Sequence, residues 1–143
     1  MVALHIAVGF TVITLNLAAG AVGGLAWYRD RPSVPFWYLL RLAQVSVFVQ
    51  ALLGGLLVIT NHEQPNDLHY LYGILPLFIS FIAEGARLGA AQRELGELDI
   101  ESFPPEAQES IAMQIVRREM GIMAVSAGVI FFVALRAAFT SGL

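Results

Sequence analysis

The chain has no cysteine and no lysine, and only 13% of its 143 residues are charged. Without cysteine it can form no disulfide, no thiolate metal site and no thiol nucleophile. Without lysine its basic residues are eight arginines, and these form no stripe that could neutralise a phosphate backbone, so nucleic acid is not a partner. No Gly-x-Ser-x-Gly elbow and no phosphate-cradling glycine loop occurs, which points away from an enzyme acting on its own. Charge itself is scarce, since a water-soluble domain usually carries roughly 25%. What fills the space is apolar: 57% of residues are hydrophobic and the mean hydropathy is +0.71, more than one water-facing core absorbs. The all-arginine basic set and the abundance of Ala, Gly and Val suggest a bacterial source, and hence the plasma membrane.

A hydrocarbon layer of about 30 Å needs roughly 20 apolar residues in helical form. Four segments reach that length, at about residues 3–28, 36–60, 68–90 and 106–139, the last spanning from about Met120. The first is too long and lacks the basic start of a cleaved signal peptide, so it reads as a retained helix. Pro76 interrupts the third, where neighbouring helices can satisfy the freed carbonyl. The fold class expected is an all-α integral membrane protein: an up-down-up-down bundle of four transmembrane helices forming a single domain over 1–143.

Seven of the eight arginines set its direction. Arg29, Arg31 and Arg41 flank the first connection and Arg87, Arg93, Arg117 and Arg118 the third, while the second, Asn61–Asp67, has none. Arginine excess marks the cytoplasmic side, which predicts both termini outside. The third connection, 92–119, is acidic, with Glu94, Glu97, Asp99, Glu101, Glu106 and Glu109. Pro104-Pro105 followed by Glu106 supplies a helix start within it.

In lipid, helices associate through small and polar residues. Spacings of three and four predict inward stripes of His5, Gly9, Val12, Asn16, Ala19, Gly23 and Trp27 on the first helix, and His69, Gly73, Leu77, Ser80, Glu84 and Arg87 on the third. The second helix offers Arg41, Gln44, Phe48, Ala51 and Gly55, and the fourth Gly121, Val125 and Gly128. Asn16 and Gln50 read as hydrogen-bond partners between helices. Glu84, Arg87, Gln44 and Arg41 form a candidate polar cluster near the inner surface, read as mutual neutralisation or, alternatively, as a quinol or proton site.

The outer end gathers the histidines. His5 and His69 head the stripes of the first and third helices, which are diagonal partners in such a bundle, and each precedes a glycine by four residues, Gly9 and Gly73. Two histidines at one depth could ligate a haem b iron from opposite sides, with the glycines leaving room for the macrocycle and Arg136 meeting a propionate. In helix count and in this paired His-x-x-x-Gly spacing the chain resembles small membrane b-type cytochromes. That resemblance goes no further; a haem so held would pass electrons between a quinone pool and an outer-face partner, alone or as a subunit of a larger membrane complex. Three other roles stay open: interfacial hydrogen bonding, a copper or zinc site that adds His62 and Glu63, and a quinone headgroup site. The contrasting reading is an accessory or assembly subunit, or a self-associating bundle, whose polar residues only specify packing. A transporter is less favoured, since no inverted repeat is visible.

Overall fold

A computed structural model describes residues 1–60, 67–96 and 102–140, so His62, Glu63, Glu97, Asp99 and Glu101 lie outside the described residues. Four helices account for most of the chain: α1 (Val2–Tyr28), α2 (Val34–Thr60), α3 (Asp67–Leu95) and α4 (Pro105–Thr140). Each is long and apolar enough to cross a membrane. The chain is therefore compatible with a small integral membrane protein. The third helix runs on to Leu95, so the first residues of the expected 92–119 connection are helical, and α4 begins at Pro105.

Local chemistry sets the helix ends. At the end of α1 the N–H of Arg31 donates to Ala26 O and that of Asp30 to Trp27 O, with Asp30 at φ 52°. This paired closure satisfies two carbonyls that a helix end would leave open, with Asp at a position usually given to glycine. Ser33 Oγ accepts from Phe36 N at 3.3 Å and so caps the start of α2. Pro105 opens α4, and the N–H groups of Ala107 and Gln108 both donate to Pro104 O. Gly96, at φ +50°, closes α3 through its N–H to Gln92 O.

α1 packs along both α2 and α4, α4 packs along α3, and α2 meets α3 only sparingly. That order makes α1 and α3 diagonal. We call the end holding the N-terminus of α1 and the C-terminus of α4 the histidine end, and the opposite one the arginine end. The closest approach is between α1 and α4, where a Cβ on Gly20 would lie 3.2 Å from Gly128 N. Toward the arginine end, the Trp27 indole packs against Gly121, whose Cβ would come within 2.8 Å of it. The Phe36 ring of α2 fills the notch at Gly23 and is fully buried. The main core surrounds these contacts, with Ala19, Phe36, Leu40, Ala83, Met120, Met123, Ala124 and Ala127. A smaller cluster of Val12, Val47 and Ile130 lies nearer the histidine end.

The middle of the expected α1 stripe faces inward, with Val12, Asn16, Ala19 and Gly23 buried; His5 and Gly9 are half-buried, and Trp27 is exposed. The expected α2 stripe is not the buried one. Phe36, Leu40, Ala43, Ser46 and Val47 face inward, and Phe48 is 51% exposed. Seating Phe36 in the Gly23 notch turns α2 so that Arg41 and Gln44 come to its edge. On α4, Val125 is 56% exposed, and Met120, Met123, Ala124 and Ala127 take the inward face beside Gly121. Small alanines and adaptable methionines fill a narrow seam that a β-branched side chain would wedge open. Asn16, expected to bond across helices, donates from Nδ2 to Val12 O of its own helix at 2.8 Å.

These notches differ in how much a methyl group would disturb them. Gly23→Ala would drive a Cβ into the immobile Phe36 ring, whereas Gly24 has nothing within 4 Å. Thermal unfolding in detergent is expected to show Gly23→Ala destabilised by about 1–3 kcal/mol and Gly24→Ala unchanged. Equal melting of the two variants would contradict this packing.

Candidate functional site

Polar residues gather at both ends of the bundle, with opposite outcomes. At the arginine end, Glu84 of α3 is a hub. Arg41 Nη1 donates to its Oε1 at 2.5 Å, Gln44 Nε2 to the same oxygen at 2.7 Å, and Arg87 Nε to Oε2 at 2.9 Å. Arg41 also donates to Gln44 Oε1 at 2.7 Å, and Arg87 reaches Glu119 of α4 at 3.4 Å. The Arg87 guanidinium lies 5.8 Å from the centre of the Trp37 ring. All four residues expected in the inner cluster are thus brought together, and three helices are tied through them. Two exposed pairs, Arg117 with Asp30 and Arg118 with Glu94, lie at the same end. Every carboxylate oxygen of Glu84 has a cationic partner. The cluster therefore acts as a clasp that holds α2 to α3 where their apolar packing is thin.

At the histidine end no such clasp occurs among the described residues, and a cavity of about 590 Å³ opens between the helices. His5, Gly9 and Val12 of α1, Gln50 and Gly54 of α2, His69 and Gly73 of α3 and Ala137 of α4 contribute to its wall. The two histidines meet across the diagonal, with ring centres 6.1 Å apart and planes at 63°. His69 Nδ1 lies 3.0 Å from Ala137 O. A carbonyl only accepts, so Nδ1 carries the proton and Nε2 keeps the lone pair. His5 Nε2 is 3.2 Å from Gln50 Nε2.

The remaining expected site residues divide. Gly73 has nothing within 4 Å and opens onto the cavity. Gly9 does not supply room, because the Gln50 amide already occupies the space a Cβ would take, at 3.1 Å. Arg136 is exposed, with its guanidinium 5.9 Å from the ring of Tyr72, a residue of the cavity wall. Gln50, Gly54 and Ala137 were not singled out as parts of this site. Gln50 and Gly54 sit one turn apart on α2, a spacing visible in the sequence, whereas a backbone carbonyl such as Ala137 O leaves no trace there. Among the described residues, no group of three or more His, Cys, Asp or Glu is gathered for a metal ion.

No protein family, curated protein or solved structure matches this chain.

The clasp carries an expectation of its own. Glu84→Ala leaves the partly buried Arg87 and the flanking Arg41 without their carboxylate, and is expected to cost roughly 1–3 kcal/mol. Arg117→Ala breaks an exposed pair and is expected to cost less than about 1 kcal/mol. Chemical unfolding in mixed micelles compares them; an Arg117→Ala loss as large as that of Glu84→Ala would contradict the hub.

Proposed function

We propose that the chain is a small membrane haem b protein or redox-complex subunit, with His5 and His69 as the axial pair. The observation that carries this reading is the meeting of these two rings across the α1/α3 diagonal, 6.1 Å apart. Two imidazoles held at roughly 2 Å from one metal ion have ring centres about 6 Å apart, so little movement of the helices is needed. Two further features support the fit. The bond from His69 Nδ1 to Ala137 O orients the ring and directs a lone pair on Nε2 away from the backbone, as ligating histidines require. The cavity of about 590 Å³ lies within the range of small-molecule and cofactor pockets, roughly 300–1,000 Å³.

A haem here would supply one-electron transfer, and the chain's own residues would set its conditions. Apolar walls at Val12, Val47 and Pro76 exclude water and keep the dielectric low. Gly73 leaves its side of the wall open to a flat ring. Arg136, at the rim beside Tyr72, is the cation a propionate would meet. The arginine bias directs the histidine end outward in a bacterial plasma membrane, with an outer-face partner and a quinone or larger complex completing the path.

A second reading has an observation behind it too. The Glu84 clasp is fully paired and needs no ligand, as expected of an accessory subunit whose polar residues only hold helices together. An absorption spectrum separates the two. Detergent-purified protein supplied with haem is expected to show a Soret band that is lost in His5→Ala and in His69→Ala. Absence of the band in the unaltered protein, with the chain folded, would favour the accessory reading.

A further inference from the structure

Among the described residues, two buried side-chain polar atoms lack a hydrogen-bond partner: His5 Nδ1 and Gln50 Oε1. Both sit on the two cavity-wall residues that bond to each other. Buried polar atoms are nearly always satisfied, so two orphans flanking one bond ask for an explanation.

The bond itself is between His5 Nε2 and the Gln50 amide, at 3.2 Å. With the amide oriented as it stands, Gln50 Nε2–H donates to the lone pair of His5 Nε2. The ring proton is then on Nδ1, packed toward Gly54, whose Cβ would lie 4.0 Å away. With the amide turned half a revolution, Oε1 would accept from Nε2–H instead. In either orientation Gln50 engages the nitrogen of His5 that faces it, so Nε2 offers no lone pair. His69 is held differently, through Nδ1 and a backbone carbonyl that leave its Nε2 lone pair unspent. The two histidines are thus unequal, one set for ligation and one covered.

Glycine leaves the cover room. A Cβ at Gly9 would stand 3.1 Å from Gln50 Nε2, close enough to press on the amide where it reaches His5.

We propose that Gln50 is a displaceable cap on His5. It holds Nε2 in the ligand-free chain, and a metal-centred ligand bridging the two histidines must take its place. This rests on the axial reading of His5 and His69 and adds an affinity-setting residue to it. The closed contact makes one hydrogen bond and leaves two polar atoms unmet, so it restrains the ring while remaining easy to exchange.

The cap predicts that removing a polar residue strengthens binding. Haemin titrated into detergent-solubilised protein is expected to bind Gln50→Leu about threefold to tenfold more tightly than the unaltered chain, the equivalent of one net hydrogen bond. Gly9→Ala, which keeps Gln50 but crowds its amide, is expected to shift affinity in the same direction. A second readout needs no haem. Diethyl pyrocarbonate, with modification mapped by mass spectrometry, is expected to label His5 faster in Gln50→Leu while His69 labels at an unchanged rate. Unchanged His5 labelling in a variant that melts like the unaltered chain would overturn the cap. So would weaker haemin binding by Gln50→Leu, which would make Gln50 a supporting residue instead. If no form binds haemin, the axial reading fails, and the labelling rates still decide whether Gln50 covers His5.

Discussion

Backbone meets backbone where α1 crosses α4 at Gly20 and Gly128, and the remaining geometry follows from that contact. Helices in lipid gain nothing by hiding leucine from leucine, so they adhere where small residues let dispersion forces act at short range. A seam of glycine and alanine brings α1 and α4 together as a spine. α2 and α3 then pack on opposite flanks of it, α2 on α1 and α3 on α4. This arrangement leaves α2 and α3 as poor neighbours, and their shared edge has to be closed by something other than apolar packing.

At the arginine end it is closed by charge. Glu84 accepts from two arginines and a glutamine, and these bonds bridge α2 and α3 directly. A carboxylate near lipid is costly unless paired, and here the pairing also supplies the missing helix contact. At the histidine end no ion pair bridges that edge among the described residues, and the cavity opens there. Its wall carries His5, His69 and Gln50 together with Tyr70 and Tyr72, among aliphatic and glycine residues. One end thus satisfies its polar groups internally, and the other holds buried polar atoms without partners. Such unmet groups in a low-dielectric space are where a ligand gains most by binding.

The sequence disclosed these features unevenly. The face of α1 was legible because its inward residues are small or polar against a lipid-facing background of large aliphatics. The Glu84 cluster was legible for a similar reason: Glu84 and Arg87 share one helix face at a spacing of three, and Arg41 and Gln44 repeat that spacing on α2. The face of α2 was obscured, because a polar stripe there competes with Phe36 for the inward position. Only the Gly23 notch on another helix decides between them. Gly9 was recognised as a place without a side chain, but its occupant, Gln50, comes from 41 residues away along the chain. Contacts of that kind are set by helix rotation, which no periodicity within one segment records. Membrane orientation rests on the arginine bias alone.

Whether His5 and His69 hold one iron between them, as proposed, is read by low-temperature electron paramagnetic resonance of the ferric, haem-supplemented protein. The expected result is a low-spin signal of the kind given by two axial imidazoles. A high-spin signal, showing at most one strong axial ligand, or no protein-bound iron signal at all, would contradict it.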